Sequence, residues 1–389
     1  MPEPDKLIYL DNAATTYPKP ECVYRAADEF YRCYGGNAGR GANPLARKGT
    51  ELIAETRIML SNWLGAPSPE RVIFTPSATV ALNVAILGTK LRHGDAVYVT
   101  PFEHNSVLRP LEHLRQTVGI FVQEMPFDRP TMACNLDRLA AQFRVDPPAL
   151  VCVTQASNVC GIMPPVIEIA RLAQESNPNA VVVVDGAQVA GLYPLPLSDG
   201  LIHAYIFSGH KSLYGTYGVA GLVLASDWRP APLLFGGTGT ISESVQMPSS
   251  LPSVYETGSH NVWAIAGLKA ALEWLQETER EAIVAHTVEL ADELRDGLEK
   301  TPGVQVYAPP RGDLWCGIVA FTVEGMRPQA IEAALGAKGI AVRAGLHCAP
   351  WIHRWLETLG GGGAVRVSAG QLNVIGDITG FLKAVTGFG

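Results

Sequence analysis

Hydrophobic residues in the first two thirds of the chain fall in short continuous runs, separated by segments long enough for helices. Continuous β-branched runs are typical of strands that are buried on both faces of a mostly parallel sheet. They predict six strands, at residues 71–75, 96–100, 149–154, 180–185, 204–208 and 221–225. Intervening patterns at 80–91 and 165–176 indicate helices. This part of the chain is therefore predicted to be an α/β domain.

The pattern changes near residue 260. Residues 236–252 are rich in Gly, Ser and Pro, and the elements that follow are different. We predict helices at 262–278, 281–300 and 328–338, and strands at 304–307, 316–323 and 340–343. This region is interpreted as a smaller α+β domain. The expected division is an N-terminal segment that packs with the small domain, a large domain and a small C-terminal domain, at residues 1–15, 16–260 and 261–389.

Composition indicates a folded protein that acts on a small molecule. The 389 residues are 47% hydrophobic and 17% charged, which suffices for two packed domains. The formal net charge is -7 and no run of Lys or Arg is present, so we expect neither nucleic acid nor an anionic membrane as a partner. No apolar stretch reaches about 18 residues, and the N-terminus lacks a signal-peptide pattern, so a cytoplasmic location is expected by default.

Cysteine and histidine positions add two expectations. The seven cysteines are an odd number without a C-x-x-C pair, which favours reduced thiols. The nine histidines show no ligand spacing with Cys, Asp or Glu, so no metal site is expected.

Polar residues follow the fourth and fifth predicted strands, where ligands bind in open α/β sheets. The fourth strand ends in Asp185, with Gln188 just beyond it, and the fifth leads into Ser208, His210 and Lys211. A lysine can form a Schiff base with an aldehyde cofactor, and a nearby acid keeps the ring nitrogen of that cofactor protonated. Taken singly, Lys211 would be a surface charge and Asp185 a helix cap. Their combination indicates a pyridoxal phosphate (PLP) site.

The first three strands end in residues that suit the same cofactor. Ala78 and Thr79 open a helix whose free N–H groups can hold a phosphate, although small polar residues also open helices routinely. His104 can lie flat against a planar ring, whereas an isolated histidine would be interpreted as a hydrogen-bonded loop residue. Asn158 can donate to a phenolate oxygen. All these strand ends therefore point to one site.

With the opening motif Tyr-Leu-Asp-Asn-Ala-Ala-Thr-Thr at 9–16, the chain resembles, nearly end to end, fold-type I PLP enzymes of the class V aminotransferase group. More specifically, it resembles group II cysteine desulfurases and selenocysteine lyases. The resemblance implies an α/β fold of the PLP-dependent transferase type I, with a mostly parallel seven-stranded sheet in the large domain and a smaller α+β C-terminal domain. It also implies PLP as the cofactor. The implied cofactor-binding residues are Ala78, Thr79, His104, Asn158, Asp185, Gln188, Ser208, His210, Lys211 and Ser259.

Within that set, the resemblance implies Lys211 as the Schiff-base lysine, Asp185 at the ring nitrogen and His104 stacked on the ring. Ser259 lies in Glu-Thr-Gly-Ser-His-Asn at 256–261, which resembles the family's Ala-Gly-Thr-Pro-Asn. In the family this segment reaches the phosphate of the other subunit, so a symmetric homodimer is implied. Ser259 replaces the usual threonine and keeps its hydroxyl.

Cys348 separates a desulfurase from other enzymes of this fold. A lone cysteine is most often a small buried hydrophobe. In the motif Val-Arg-Ala-Gly-Leu-His-Cys-Ala-Pro at 342–350, however, we interpret Cys348 as the nucleophile that removes the substrate sulfur as a persulfide. His347 is a candidate to assist it.

Substrate contacts are implied by the resemblance alone. Arg366 matches the arginine that binds the substrate carboxylate, and Asn12 and Ala14 match positions close to the substrate. The segment 370–374 keeps only Asn373 of the family's usual pattern, which leaves the shape of the substrate pocket open.

The sequence thus predicts a cysteine desulfurase in which Lys211, Cys348 and His104 are catalytic and L-cysteine yields L-alanine. L-selenocysteine is an alternative substrate. A C–S lyase or aminotransferase in which Cys348 is incidental, and a PLP-binding partner protein without turnover of its own, remain alternatives. A sulfur-acceptor protein is a possible partner, and the sequence does not identify it.

Overall fold

The computed structural model describes residues 7–38, 43–241, 243–312 and 315–388. The strands are β1 (Ile8–Tyr9), β2 (Val72–Thr75), β3 (Ala96–Val99), β4 (Phe121–Glu124), β5 (Pro148–Thr154), β6 (Val181–Asp185), β7 (Ala204–Ser208), β8 (Ala220–Leu224), β9 (Val304–Tyr307), β10 (Ile318–Val323), β11 (Ile340–Ala341), β12 (Arg343–Gly345) and β13 (Ala364–Ser368). The helices are α1 (Glu21–Tyr34), α2 (Pro44–Leu64), α3 (Ala78–Leu87), α4 (Asn105–Thr117), α5 (Leu136–Val145), α6 (Val166–Ser176), α7 (Val262–Thr278), α8 (Arg280–Glu299), α9 (Pro328–Gly336), α10 (Pro350–Trp355) and α11 (Ile375–Val385).

The large sheet has seven strands in the order β2-β8-β7-β6-β5-β3-β4. The five strands from β7 to β4 are parallel, while β8 runs antiparallel to both of its neighbours. The predicted α/β fold with a mostly parallel seven-stranded sheet is confirmed. All six strands that the hydrophobic runs predict are present, with ends that differ by at most one residue.

The valine run of β6 shows why these strands are continuously apolar. Val182 and Val184 pack into the core on one face of the sheet, and Val181 and Val183 pack into the core on the other face. Successive side chains of a strand point to opposite faces, so a sheet covered on both sides requires apolar residues at every position.

The hydrophobic pattern does not predict β4. This strand lies at the edge of the sheet, where it pairs only with β3. Its residues are exposed or half-buried, and Phe121 is 58% exposed. Because an edge strand is only partly covered, its sequence carries no continuous apolar run.

The small domain is built on a four-stranded antiparallel sheet in the order β12-β13-β10-β9. The single strand predicted at 340–343 is two strands: β11 pairs in parallel with β1, and β12 pairs with β13. Through that pairing, and through burial of Leu10 in the small-domain core, the N-terminal segment packs on this domain. Residues 1–6 of the predicted segment lie outside the described residues.

Helix α7 packs in the large domain, although the predicted division assigns it to the small domain. It begins after residue 260, yet Ala264 and Leu268 pack into the large-domain core together with Val23 of α1. Helix α8 connects the two domains, because Ile283 lies in the large-domain core and Leu294 in the small-domain core. The Gly- and Ser-rich segment before α7 therefore does not mark the end of the large-domain core.

Candidate active site

The carboxyl ends of β5, β6 and β7 and the N-termini of α3 and α4 enclose a cavity of ≈ 130 Å³. Nine of the ten predicted cofactor residues line it: Ala78, Thr79, His104, Asn158, Asp185, Gln188, Ser208, His210 and Lys211. Ser259 does not. The strand-end argument therefore brings together residues that are far apart in sequence.

Lys211 and Asp185 form the charged pair of the cavity. Burial lowers the pKa of Lys211 to about 8, and the charge of Asp185 opposes this effect. Burial also raises the pKa of Asp185, while a hydrogen bond from the Ala187 N–H to its Oδ1 (3.0 Å) and the charge of Lys211 act in the other direction. A lysine with this pKa has a sizeable neutral fraction near pH 8, which is the nucleophilic form.

His104 is a neutral imidazole with a fixed orientation. It caps α4, and its Nδ1 accepts from the backbone N–H of Ser106 at 3.0 Å. Burial, then the charges of Lys211 and Arg109, lower its pKa to about 4. Because Nδ1 accepts this hydrogen bond, the neutral ring carries its proton on Nε2. The ring can therefore stack on an aromatic group without adding a charge.

Glu103, immediately before His104, is a residue that sequence reasoning missed. Its Oε1 accepts from the Thr154 N–H at 2.8 Å and from the Thr100 hydroxyl at 2.7 Å, which links the ends of β3 and β5. Burial raises its pKa to about 8, so the carboxyl group is largely protonated at neutral pH. No sequence signal distinguishes this glutamate from a surface residue.

Two features at the phosphate end of the cavity suit an anion. Nδ1 of His210 is buried and has no hydrogen-bond partner among the described residues, and its ring stacks on Tyr217 with 4.4 Å between centroids. At the start of α3 the Val80 N–H is capped by the Ser77 hydroxyl at 3.3 Å, and the N–H groups of Ala78 and Thr79 have no partner within the helix. Together with Lys211 for an aldehyde and Asp185 for a pyridine nitrogen, these groups fit PLP.

Arg366 on β13 lies beside this cavity and is only 2% exposed. Its Nη1 donates to the carbonyl of Asn158 at 2.8 Å, and its Nη2 donates to Oδ1 of Asp11 at 2.6 Å. The other oxygen of Asp11 accepts from Arg343 at 3.0 Å. Nε of Arg366 is buried and has no partner among the described residues. A contact of Arg366 with the substrate carboxylate stays a prediction. Asp11 lies within the opening motif, but its pairing with Arg366 was not predicted.

The two other predicted substrate residues do not line the cavity. The Asn12 side chain donates to the carbonyl of Ser368 (3.0 Å) and to Oδ1 of Asn373 (3.1 Å), which joins the N-terminal segment to the small domain. Ala14 follows on the same turn, and Gln188 donates to the neighbouring carbonyl of Ala13 at 3.1 Å. A substrate contact for Asn12 and Ala14 stays a prediction.

Cys348 is exposed and lines a second cavity of ≈ 400 Å³. His104 lines both this cavity and that of Lys211. The charge of a Cys348 thiolate raises the pKa of Lys211, so the two groups interact electrostatically. The thiol therefore lines a cavity that adjoins the Lys211 cavity at His104.

His347 does not face the thiol in the way the sequence suggested. Its ring is buried, its Nδ1 lies 3.4 Å from Nε2 of His353, and its Nε2 lies 3.3 Å from the carbonyl of Arg343. Burial and the charge of Arg366 lower its pKa to about 3. With both ring nitrogens directed to these partners, His347 is a neutral packing residue of the turn.

Ser259 lies on a separate groove of ≈ 220 Å³ that is lined by apolar residues such as Phe74, Val80 and Leu234. The segment is held by Glu256, whose two oxygens accept from the guanidinium of Arg57 at 2.7 and 2.9 Å. Ser259 therefore does not serve the Lys211 cavity of its own protomer. Its role toward a second subunit stays a prediction.

The described residues contain no group of three His, Cys, Asp or Glu side chains arranged to hold a metal ion. Within the same residues, no helix combines the length and the apolar character that a membrane span requires.

Comparison with known proteins agrees with this geometry. A probable cysteine desulfurase of Halalkalibacterium halodurans is 32% identical over 90% of this chain and 86% of the relative. One of Pseudomonas aeruginosa is 34% identical over 97% and 93%. The structure superposes on a cysteine desulfurase of Thermococcus onnurineus with a TM-score of 0.90 and 28% identity, over 99% of this chain and 95% of that one. For a cysteine desulfurase of Escherichia coli the TM-score is 0.84 and the identity 30%, over 98% and 94%. The family model for class-V aminotransferases matches residues 8–381, and the chain therefore belongs to the class-V aminotransferase family.

Proposed function

We propose that this protein is a PLP-dependent cysteine desulfurase, which converts L-cysteine to L-alanine and retains the sulfur as a persulfide on Cys348. One observation carries the proposal: the exposed thiol of Cys348 lines a cavity next to the one that contains buried Lys211 and Asp185, and His104 lines both cavities. A lyase or an aminotransferase of this fold needs no thiol at that place. The cysteine desulfurases among the relatives support the same conclusion.

PLP, when bound, supplies an electron sink that labilises the bonds at the α-carbon of an amino acid. Lys211 would hold its aldehyde carbon, and Asp185 would keep the ring nitrogen protonated. His104 would pack its neutral ring against the cofactor. The N–H groups at the start of α3, Ser208 and His210 would hold the phosphate.

Lys211 is suited to move the substrate proton. With PLP bound, the amine of Lys211 would accept the α-proton of the substrate, and its pKa of about 8 gives it a neutral fraction that rises between pH 7 and pH 8. Arg366 binds the substrate carboxylate through the donors that Asp11 and Asn158 leave free. These contacts orient the substrate so that its thiol points toward the cavity that Cys348 lines.

Cys348 then takes the sulfur. Its thiolate forms an S–S bond to the substrate sulfur while the C–S bond breaks, and the electron pair of that bond stays with the substrate carbon. That carbon takes up a proton, and the α-carbon takes back the proton that Lys211 accepted, so cysteine leaves as alanine and Cys348 holds one additional sulfur atom. A thiol reductant or acceptor protein restores Cys348 by removing this sulfur.

We propose a homodimer as the working unit, since Ser259 lies on an apolar groove outside the cavity of its own protomer. We place the protein in the cytoplasm. All seven cysteines are free, and thiols are kept reduced there.

The test combines spectroscopy with product analysis. The purified protein with PLP is expected to show an absorption band that changes on addition of L-cysteine, and alanine and sulfide are expected in equal amounts in the presence of dithiothreitol. Pyruvate and ammonia in place of alanine would establish a lyase. Turnover of L-selenocysteine but not of L-cysteine would establish a selenocysteine lyase, and no turnover of either would favour a PLP-binding partner protein.

A further inference from the structure

The turn that carries Cys348 has an unusual backbone. His347 and Cys348 both adopt left-handed conformations, with φ of 49° and 55°. Residues with a Cβ disfavour this region because the Cβ approaches the carbonyl oxygen of the same peptide unit. Two such residues in succession require contacts that hold them.

Two hydrogen bonds fix the carbonyl groups of this turn. Nδ2 of Asn158 donates to the carbonyl oxygen of His347 at 2.7 Å. The backbone N–H of Asn105 donates to the carbonyl oxygen of Cys348, also at 2.7 Å. The two donors come from the segments after β5 and β3, so the large domain holds the turn of the small domain at two consecutive residues.

Asn158 is itself held in place. It is buried, it lines the Lys211 cavity, and its backbone carbonyl accepts from Arg366 at 2.8 Å. One residue thus contacts the predicted carboxylate-binding arginine through its backbone and the predicted nucleophile's turn through its side chain. A side-chain amide has two hydrogens, so donation to His347 leaves one for the cavity.

We propose that Asn158 is a positioning residue for Cys348: its side-chain amide holds the left-handed turn 347–348 and so places the thiol next to the Lys211 cavity. This inference rests on the proposed desulfurase function, for which it names a second role of Asn158 beside the predicted contact with the cofactor. Asn158 acts on the sulfur transfer through the backbone of the turn and not by touching the substrate sulfur.

The decisive comparison uses Asn158→Ala and, as a matched control, Gln188→Ala. Both residues line the same cavity and belong to the predicted cofactor-binding set, but Gln188 donates to Ala13 and not to the Cys348 turn. A role confined to the cofactor predicts similar consequences for both variants. A role in positioning predicts that only Asn158→Ala changes the amide exchange of the turn.

Hydrogen–deuterium exchange of the peptide spanning 345–350 measures the turn directly, in protein with and without added PLP. In Asn158→Ala, we expect exchange in this peptide to be about fivefold faster, as loss of one neutral hydrogen bond allows. Gln188→Ala should leave it at the wild-type rate. Equal exchange in wild type and Asn158→Ala, or equal acceleration in both variants, would overturn the proposal.

A second variant guards against misfolding. Asn158→Asp preserves the shape of the side chain but places an acceptor beside the His347 carbonyl, so it should accelerate exchange at the turn at least as much as Asn158→Ala does. Circular dichroism verifies that the variants are folded. The rate of persulfide formation on Cys348 after one addition of L-cysteine is then followed by mass spectrometry.

These readouts separate the two proposals. Slow persulfide formation in Asn158→Ala, together with fast exchange and an intact cofactor band, supports both. If wild-type protein forms no persulfide although its turn depends on Asn158, the desulfurase function fails and the structural link remains. If persulfide forms at the wild-type rate in Asn158→Ala, Asn158 does not position Cys348.

Discussion

The ammonium group of Lys19 lies 2.7 Å from the carbonyl oxygen of His210, the residue that precedes Lys211. It also donates to the hydroxyl of Thr16 at 2.6 Å, and the residue is only 8% exposed. None of the described carboxylates forms an ion pair with it. A buried amine held by neutral acceptors therefore fixes the backbone next to Lys211, the predicted Schiff-base lysine.

Lys19 should make the stability of the protein depend on pH. Burial lowers its pKa from 10.5 to about 7, so between pH 7 and 10 the unfolded state binds more protons than the folded state. The free energy of unfolding therefore gains a contribution that rises with pH across this window. We expect urea denaturation at pH 7 and pH 9 to show a smaller increase in Lys19→Met than in wild type. The exposed Lys300→Met is the control, and an unchanged pH dependence in Lys19→Met would contradict the assignment.

Arg366→Lys should impair substrate binding while sparing the cofactor. A lysine cannot replace the guanidinium that contacts Asp11 and Asn158 and still offer a second donor to a carboxylate. Loss of a charge-assisted hydrogen bond predicts that kcat/KM for L-cysteine falls by about 10- to 100-fold, with an unchanged PLP band. Arg343→Lys is the matched control, since Arg343 pairs with the other oxygen of Asp11 but is half-exposed. Equal losses in both variants would count against a carboxylate contact by Arg366.

Glu256 stabilises the segment that carries Ser259. Beside Arg57, it accepts from the Phe74 N–H at 2.7 Å and lies 2.8 Å from Nε2 of His260. Arg57→Met alone would remove the buried guanidinium and leave this carboxylate with only the Phe74 N–H and His260, and we expect a loss of about 3 to 5 kcal/mol in the free energy of unfolding. Arg57→Met combined with Glu256→Gln should lose less than Arg57→Met alone. A double variant that is less stable than the single one would show that the pair is not coupled in this way.

The same carboxylate predicts an acid response. Burial raises the pKa of Glu256, but the hydrogen bonds from His260 and Arg57 outweigh this effect, and the net shift is downward. Its contribution to stability is therefore present above the unfolded-state pKa of 4.5 and disappears as the pH falls through the folded-state value. The free energy of unfolding, measured by denaturation at several values from pH 7 to pH 3, should decrease more steeply with falling pH for wild type than for the double variant.

Cys348→Ala should abolish formation of alanine and sulfide from L-cysteine and leave the PLP band intact, because the nucleophile is lost while the cavity is not. Cys33→Ala is the control, since Cys33 is also an exposed free thiol but lies on α1. Undiminished desulfuration by Cys348→Ala would exclude the persulfide step. It would favour a lyase in which Cys348 has no role.

Strand ends were the part of the site that sequence could predict. Asp185 and Lys211 follow valine- and isoleucine-containing runs that local composition identifies, and parallel strands bring their carboxyl ends to one edge. The same argument brought His104 and Asn158 to the cavity. Local pattern was insufficient for β4, where partial exposure removes the apolar run, and for α7, whose core membership depends on helices elsewhere in the chain.

Long-range pairings could not be predicted. The ion pair between Asp11 and Arg366 joins residues that are far apart in the sequence. The residues around one of them give no indication of the other. The left-handed turn at His347 and Cys348 has no glycine at those positions, so its conformation cannot be predicted from its sequence. The partners of both features are known only once the fold has placed them.

The N-terminal segment gives the site a dependence on the order of synthesis. Leu10 packs in the core of the small domain, Asp11 binds arginines 332 and 355 positions away, and Thr16 and Lys19 hold the His210 carbonyl. During translation the large sheet has its strands available long before β11 and β13 have emerged, whereas the first residues have no partner for their strand or their carboxylate. Residues 8–11 are therefore synthesised long before the strand and the two arginines that they pair with, and these contacts of the pocket can form only after β13 has left the ribosome.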